Sequence, residues 1–503
     1  MEKLAVIDLG SSKIDLTLAK YLPTGNYTIY EEMSEKVSIV DTYETDELLS
    51  PTKIKEAIDI LKMYRMICDV NKVTNVIAVV SSSLKNLKNY KSFLDEIYNV
   101  CGFKFRLLTP EDEMASLYAG VINSIDCPKG VIAYVGWGAV RLVHYNRKNI
   151  LNETLIPVGT HALSKLVSQE KTLEKACKSM VDKFSKELQK VDWLKNVEPE
   201  FNFIGVGSIF NNCATLARKA KKYPLDQNHN FRLTTKDFKQ TFDVVKSLDV
   251  DSGRKIKGLS SDKIDIILSG MSIVQAIFNN TNFDGVTIST KGMKEGYIYG
   301  SIMPNGIEKS SNDMLGLSLD NISAFYDTDY SNAKQVTNIA LILFRQLKVL
   351  HKLSRTYVKV LRVAAAMHDC GKRIKFENNE KNSFNIILNS DLNGITHREI
   401  VLAAFVCASQ NISNFNLVDW VRYKDLLLDE DLDAVRKLAV IIRLASALDK
   451  THRNVVQDIS CDILGDSVIM KTIVTIDANI EVREAIKTCN DFRKVFKKTL
   501  EVL

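Results

Sequence analysis

Patterns that form disulfides or bind zinc are missing from this sequence. Its nine cysteines are scattered from Cys68 to Cys489, their number is odd, and no Cys-x-x-Cys pair occurs. A disulfide framework or a zinc site is therefore not expected, and the reducing cytoplasm is the expected compartment. No run of about 18 apolar residues is present, so no membrane span is expected. The short apolar run near Met1 is flanked by Glu2 and Asp8, which argues against a signal peptide.

A strong charge of either sign is missing as well. The 503 residues carry a formal net charge of +6, with lysine and arginine spread along the chain. This mild excess favours an anionic ligand, but it is not the basic patch of a specific nucleic-acid-binding protein. The length exceeds what a single hydrophobic core usually supports, so we expect two to about four domains.

Residues 1–305 alternate strand-type and helix-type patterns, and the opening pattern occurs twice. Ala5–Ser11 and Ile132–Gly138 each read as an apolar strand that runs into a glycine turn, and each is followed by further strands. Facing glycine turns of this kind hold phosphates in the actin-like, ribonuclease H-like fold, because backbone N–H groups approach an anion closely where no side chain intervenes. A plain α/β repeat fits the same pattern.

The character of the chain changes after Pro304. Gly306–Asn312 is polar and is predicted to be a linker, and helical periodicity follows from Tyr330 to Asn454. The last segment alternates as a strand around Val468 and then reads as an amphipathic helix. The predicted domains are two α/β subdomains, a helical domain and a small α/β segment, over residues 1–125, 126–305, 313–454 and 455–503.

Segments along the whole chain, in order, resemble the exopolyphosphatase / guanosine pentaphosphate phosphatase (Ppx/GppA) family. In the α/β part they lie within Ala5–Ser12, Val80–Asn86, Leu108–Val121, Ile204–Leu225 and Gly258–Gly296. In the helical part they are Ala364–Lys372, Gly394–Glu399 and Arg443–His452. Each segment is a weak signal by itself, and their common order makes the resemblance specific.

The resemblance implies a fold and an activity. The fold is a duplicated ribonuclease H-like phosphatase domain, followed by an all-α HD-like domain with a small α/β tail. The activity is hydrolysis that releases the terminal phosphate of polyphosphate or of guanosine pentaphosphate, with magnesium as the family's cofactor. The implied partners are those two ligands, without a membrane or a specific nucleic acid, and the sequence leaves a homodimer open.

The resemblance also assigns roles to residues of the first glycine turn and its neighbours. Glu113 stands at the family's catalytic glutamate, which acts as a general base on water, so hydrolysis is expected to pass through it. An acid in the first turn of a helix also favours the helix dipole, and that structural role is the alternative for Glu113. Asp8, Gly10 and Ser11 match the first phosphate loop, and Lys85 replaces an arginine of the family.

The second phosphate loop departs from the family pattern. Its glycines Gly136 and Gly138 remain, as does Gly207 in a third loop, and all three are predicted phosphate-binding positions. In this loop Tyr134 replaces an aspartate, Trp137 a glycine and Arg141 a glutamate, and Ala139 and Val140 replace hydroxyl residues. Outside the loop, Asp15 stands where the family tends to have an arginine. Two carboxylates that would hold magnesium are therefore gone, and no metal ligand is predicted.

The helical domain departs from the HD pattern too. His368, Asp369 and Asp449 remain, but Asn332 stands at the upstream histidine and Asn379–Asn382 contains no histidine. Several histidines are needed around such a pair to hold a transition metal. We therefore predict that His368 and Asp369 form a structural pair without a metal.

Several functions stay open from the sequence. The first is a Ppx/GppA-type phosphohydrolase with a degenerate second loop, and whether the chain is an active enzyme is not decided. The second is a non-catalytic sensor that binds polyphosphate or an alarmone through Arg141 and Lys85. The third is a structural paralogue that pairs with an active relative, and here Trp137 would pack into a collapsed loop.

Overall fold

The structure is a computed structural model, and it describes residues 1–22, 25–37, 39, 48–147, 149–247, 264–303, 313–325, 329–409 and 417–503. The predicted linker Gly306–Asn312 and the motif Gly258–Ser260 lie outside the described residues. The chain divides into two compact units. The first unit comprises 1–223 and 227–314, and the second comprises 224–226 and 315–503.

The described residues form strands and helices with the following bounds. The strands are β1 Glu2–Leu9, β2 Lys13–Tyr21, β3 Tyr27–Lys36, β4 Asn75–Val80, β5 Arg106–Leu107, β6 Lys129–Val135, β7 Val140–Asn146, β8 Asn149–Ile156, β9 Asn202–Val206, β10 Arg232–Thr234, β11 Gly285–Ser289, β12 Val456–Ile463, β13 Ser467–Val474 and β14 Thr499–Val502. The helices of the first unit are α1 Pro51–Val70, α2 Tyr90–Cys101, α3 Pro110–Ile122, α4 Thr160–Ser164, α5 Leu173–Leu188, α6 Asp192–Lys195, α7 Ser208–Ala220, α8 Thr235–Lys246, α9 Ile264–Asn279 and α10 Met293–Ile302. The remaining helices are α11 Met314–Phe325, α12 Tyr330–Gln346, α13 Lys348–His351, α14 Tyr357–Ala366, α15 Asn379–Leu388, α16 His397–Ala408, α17 Leu417–Tyr423, α18 Asp431–Ala447, α19 Asn479–Ile486 and α20 Cys489–Phe496.

The first unit contains two sheets that repeat one strand order. The first sheet runs β3-β2-β1-β4-β5, and the second runs β8-β7-β6-β9-β11 with β10 added at the edge. In both sheets an antiparallel three-strand meander leads into parallel strands, since β1 pairs with β4 and β6 with β9 in parallel. The duplication predicted from Ala5–Ser11 and Ile132–Gly138 is therefore present in the topology.

The two glycine turns are built alike. In the first, the backbone N–H of Gly10 donates to the carbonyl oxygen of Lys13 at 3.0 Å, and in the second Gly136 donates to Ala139 at 3.0 Å. The second turn has little room, because a Cβ on Gly136 would lie 2.8 Å from the carbonyl oxygen of Ala139. Trp137 thus occupies the position that Ser11 holds in the first turn.

Helix α3 positions the site because its N-terminal end is firmly fixed. Thr109 caps the helix and forms a capping box with Asp112, with hydrogen bonds of 3.1 Å in each direction. Farther along, α3 packs against α10 so closely that a Cβ on Gly120 would lie 2.0 Å from the carbonyl oxygen of Gly292. The first turn of α3, which carries Glu113, is therefore held in place by a cap and by close helix packing.

The second unit is helical with one small sheet. Most of α11 and all of α12–α20 belong to it, and its sheet has the order β12-β13-β14. Strand β14 pairs in parallel with β13. After β13 the chain forms two helices, α19 and α20, and the strand β14, where the sequence pattern predicts a single amphipathic helix.

Candidate functional site

Equivalent cross-strand pairs precede and follow the two glycine turns. In the first hairpin Asp8 lies opposite Asp15, and in the second Tyr134 lies opposite Arg141. The duplicated hairpins therefore bring different chemistry to matching places: two acids in the first, and a phenol with a guanidinium in the second.

Of the two acids in the first hairpin, Asp8 is the one whose carboxyl group is not held by a neighbouring donor. No residue in the described part of the chain donates a hydrogen bond to its carboxyl group, whereas Asp15 is held by Lys13 at 2.5 Å and by the Ser34 hydroxyl at 2.5 Å. Burial raises the pKa of Asp8 to about 7; the nearby Asp15 and Glu113 carboxylates raise it further, while Lys13 and Arg141 oppose them. Near neutral pH this carboxyl group is therefore divided between its acid and its anion.

Ser11 connects the first turn to Glu113 through a chain of hydroxyl groups. The hydroxyls of Ser11 and Ser83 lie 2.8 Å apart, Ser83 donates to the Ser81 hydroxyl at 3.1 Å, and Ser81 donates to Glu113 Oε1 at 3.0 Å. The backbone N–H groups of Ser11 and Ser12 have no acceptor among the described residues. The first turn therefore presents backbone donors that an anion could use.

Glu113 is buried, with 2% of its surface exposed, and both of its carboxylate oxygens are occupied. Besides Ser81, its partners are the backbone N–H of Ser82 at 3.0 Å and the Ser82 hydroxyl at 3.1 Å. Arg141 completes the set: its Nε donates to Glu113 Oε2 at 2.9 Å, and its Nη2 donates to the same oxygen. A carboxylate offers about four lone-pair sites, so none remains here to orient a water molecule.

Arg141 is itself buried, with 5% of its surface exposed, and this explains its pairing. A charge removed from water is costly unless an opposite charge and hydrogen bonds compensate it. The Arg141 guanidinium also lies 5.8 Å from the ring centre of Tyr134. Arg141 therefore neutralises Glu113, the carboxylate predicted to be catalytic, and is not directed toward an open anion site, as the sensor interpretation of the sequence had assumed.

The ring of Tyr134 lies between two of the predicted phosphate-binding glycines. An added Cβ would approach this ring to 3.1 Å from Gly136 and to 3.0 Å from Gly207. Gly207 has a φ of 99°, in the left-handed region that favours glycine, and it precedes α7. The space beside these two glycines is therefore filled by an aromatic ring of the chain itself.

Trp137 is partly exposed and stacks on His161, with ring centres 4.6 Å apart and an angle of 16° between the planes. Its Nε1 atom is buried without a described hydrogen-bond partner. Gly138 is buried in the same turn, and Gly159 packs so tightly behind it that an added Cβ would lie 2.3 Å from the Trp137 carbonyl oxygen. The second turn thus keeps a compact backbone, and its indole is not a core residue.

Lys85 lies in a 3-10 turn, Ser82–Asn86, that directly follows the Ser81 contact to Glu113. Its side chain is exposed, and no hydrogen bond or ion pair joins it to another described residue. No contact brings Lys85 to Asp8 or Arg141 either. Lys85 is therefore an exposed positive charge and not part of the buried cluster.

The side chains around Asp8 do not fit a magnesium ion. Magnesium in phosphoryl-transfer sites is held by one or two carboxylates together with substrate phosphates. Glu113 is fully engaged by donors, Asp15 is paired with Lys13, and the two acid positions of the second turn carry Tyr134 and Arg141. Of these groups only Asp8 remains, and its raised pKa leaves it partly protonated near neutral pH, so it is a poor magnesium ligand and no catalytic step is assigned to a metal.

The predicted HD-like residues of the second unit form hydrogen bonds within the protein. His368 Nδ1 donates to the carbonyl oxygen of Ala365 at 2.9 Å, and burial lowers the pKa of His368. Asp369 accepts from Lys372 at 3.2 Å. The Asn332 amide donates to Asp449 Oδ2 at 2.8 Å. No group of three or more His, Cys, Asp and Glu residues in the described ranges could hold a metal ion.

Sequence reasoning missed the donors that immobilise Glu113. Ser81 and Ser82 lie in the segment that resembles the family's second motif, but their contact with Glu113 depends on the fold. Lys13, the counterion of Asp15, was missed as well. The Arg141–Glu113 contact could have been suspected from the sequence, because Arg141 replaces an acid of the family and a buried arginine needs a carboxylate nearby.

The fold and this site together define a class of protein: a duplicated α/β domain with two matching glycine turns, followed by a helical unit. The profile of the Ppx/GppA phosphatase family matches residues 23–305, and the profile of Ppx/GppA phosphatase, domain III, matches residues 317–482. The chain belongs to the Ppx/GppA phosphatase family.

Relatives and solved structures of that family are distant but extensive matches. A guanosine-5'-triphosphate,3'-diphosphate pyrophosphatase of Aeromonas salmonicida is 22% identical over 78% of this chain and 77% of its own length, and one of Pseudoalteromonas translucida is 23% identical over 80% and 79%. The Ppx/GppA family member of Aquifex aeolicus has a TM-score of 0.52 at 24% identity over 60% of this chain and 97% of its own. An exopolyphosphatase of Cytophaga hutchinsonii has a TM-score of 0.54 at 17% identity, over 60% and 98%. These likenesses are consistent with the predicted actin-like, ribonuclease H-like fold. No helix in the described part of the chain is long and apolar enough to cross a membrane.

Proposed function

We propose that this chain is a non-catalytic member of its family, which binds polyphosphate or a guanosine alarmone near the first glycine turn without hydrolysing it. One observation carries the proposal: Arg141 and the serines of the second motif occupy both oxygens of Glu113. A general base must accept a proton from water, and its lone pairs must be open to do so. The ion pair with Arg141 removes that capacity. Arg141 itself occupies a position at which the resemblance predicts a metal-binding acid.

Ligand binding is supported by what the first turn retains. The open backbone N–H groups of Ser11 and Ser12 face no described acceptor, and the exposed Lys85 lies on the turn that follows Ser81. Backbone donors and a nearby lysine are sufficient to attract a phosphate group, without a metal. Since Arg141 is neutralised by Glu113, Lys85 should supply more of the attraction than Arg141.

The test is a binding titration in excess chelator with long-chain polyphosphate and, separately, guanosine pentaphosphate. We expect binding that survives chelation and weakens with salt. Lys85→Gln should weaken it about fivefold, which corresponds to the roughly 1 kcal/mol of a solvated charge pair at contact. Lys91→Gln, another exposed lysine a few residues along the chain, is the matched control and should leave binding unchanged.

Phosphate release with magnesium, measured on the same two ligands, separates the proposal from its rivals. Brisk magnesium-dependent release would overturn it and would establish a phosphohydrolase that tolerates its altered second loop. No binding of either ligand would also overturn it and would favour a structural paralogue. Binding with negligible release is the expected result.

A further inference from the structure

Four of the six buried carboxylates in the described part of the chain have a basic partner. Glu113 is paired with Arg141, Asp237 with Lys221, Glu295 with Lys294 and Asp431 with Arg398. Such partners are expected, since an isolated buried charge is among the costliest groups in a protein. Two buried acids depart from this rule, and both lie in the second unit.

The exceptions are Asp449 and Glu481, each with 1% of its surface exposed. No lysine or arginine in the described ranges forms an ion pair with either carboxylate. They are also neighbours, since Thr451, two residues after Asp449, donates to the Glu481 carboxylate through its backbone N–H and its hydroxyl. The nearby His452 is engaged by Asp329, so two acids buried side by side without a lysine or arginine partner need another source of positive charge.

The oxygens of the two acids are only partly used. Asp449 accepts from the Asn332 amide at 2.8 Å and from the backbone N–H of Asn454 at 3.0 Å. Glu481 Oε1 accepts from the N–H and the hydroxyl of Thr451. Glu481 Oε2, in contrast, is buried and has no described partner.

A third oxygen belongs to the same turn. The side-chain oxygen of Asn454, Oδ1, is buried without a described partner, while its amide nitrogen donates to the Ser331 hydroxyl at 3.0 Å. Asn454 and Asp449 are joined by the backbone hydrogen bond described above. Carboxylate and amide oxygens left without donors are the ligands that hard divalent cations prefer.

We propose that Asp449, Glu481 and Asn454 form a binding site for a hard divalent cation, calcium or magnesium. Water molecules would complete the coordination, because each of these ions takes at least about six oxygen ligands. The site links the end of α18 to α19, so the ion would fasten the small α/β segment to the helical domain. It differs from a transition-metal site around His368 and Asp369, since its ligands are all oxygens.

The test uses the full chain after chelation and dialysis, titrated calorimetrically with CaCl2 and, separately, MgCl2, with thermal unfolding as the second measurement. We expect about one ion per chain and a rise of several degrees in the midpoint of unfolding. Glu481→Gln should weaken binding at least tenfold. Glu484→Gln, on the same helix but paired with Lys487 at the surface, should leave binding unchanged.

Two further variants keep the result decisive. Asn454→Gly removes the amide oxygen but tolerates the positive φ of 53° at this position, so it should weaken binding without disturbing the backbone. Asp8→Asn should leave binding unchanged. A site lost in Asp8→Asn and kept in Glu481→Gln would place the ion at the first glycine turn and overturn the proposal. Absence of bound ion, with Glu481→Gln more stable than wild type, would overturn it in favour of two acids that share a proton.

Discussion

Replacing Arg141 by methionine tests whether the buried ion pair is as tight as its geometry indicates. Methionine retains much of the side-chain volume and removes the charge, which leaves Glu113 at 2% exposure without a counterion. Breaking a buried pair by removing one partner typically costs about 3–5 kcal/mol. Protonation limits the loss, because neutralising an ordinary glutamate costs about 3.7 kcal/mol at pH 7 and only about 1 kcal/mol at pH 5. The penalty of Arg141→Met should therefore be about 3–4 kcal/mol at pH 7 and about 1 kcal/mol at pH 5.

The measurement is urea unfolding followed by tryptophan fluorescence. The chain has three tryptophans, and Trp137 and Trp193 lie in the first unit while Trp420 lies in the second. A Trp420→Phe background therefore restricts the signal to the unit that contains the ion pair, which avoids treating a two-unit chain as one transition.

Two controls make the result specific. The double variant Glu113→Gln/Arg141→Met should recover most of the stability, since replacing both partners of a buried pair is often nearly neutral. Arg232→Met removes the partner of Asp284 in a pair that is 38% and 89% exposed, and should cost less than about 1 kcal/mol. A loss below 1 kcal/mol for Arg141→Met at pH 7, or one that does not shrink at pH 5, would refute the reasoning.

Three further outcomes are expected. Glu113→Gln should leave phosphate release at its low starting level, because Arg141 already engages the carboxylate; a fall of about a hundredfold would show a working general base. Polyphosphate should bind more tightly at pH 6 than at pH 8, because Asp8, with its pKa raised to about 7, is mostly neutral at the lower pH, and Asp8→Asn should abolish that difference. The same raised pKa means that the Asp8 contribution to stability falls as pH rises from about 4 to about 7, which urea midpoints of wild type and Asp8→Asn would reveal. Elemental analysis of the full chain should show no stoichiometric iron, manganese or zinc, and one equivalent lost on His368→Ala would contradict the reading of His368 as structural.

Regular elements followed closely from the sequence wherever periodicity was strong. Alternating apolar residues predict a strand over Asn149–Ile156 and helical periodicity predicts a helix over His397–Ala408, and the structure has both elements at these bounds. The pattern over Phe103–Leu108 also predicts a strand, but the strand in the structure is limited to Arg106–Leu107, because only these residues pair with β4. Strand β14 was missed: four residues carry too little alternation, and its pairing with β13 is set by tertiary contact.

The contacts of the site were less accessible from the sequence. The duplication made it reasonable to compare Asp8 with Tyr134, since both stand at the end of equivalent strands. It gave no information on Glu113, which reaches Arg141 only because the first turn of α3 lies beside β7 in the folded chain. The role of Arg141 depends on that one contact, whereas the sequence shows only that its side chain is positively charged.

The two hairpins reach charge balance in different ways, and this decides what a polyanion meets. In the first, Asp15 is balanced by its neighbour Lys13, and Asp8 is pushed toward its neutral form. In the second, Arg141 balances Glu113, which belongs to α3 and not to either strand. Each permanent charge of the buried cluster therefore has a partner within the protein, and an incoming phosphate finds backbone donors and Lys85 instead of a metal. In-line phosphoryl transfer requires fixed positive charge around the phosphoryl oxygens and a base that can accept a proton. Arg141 and Glu113 form an ion pair with each other, so neither is free for these tasks, and the site favours binding over hydrolysis.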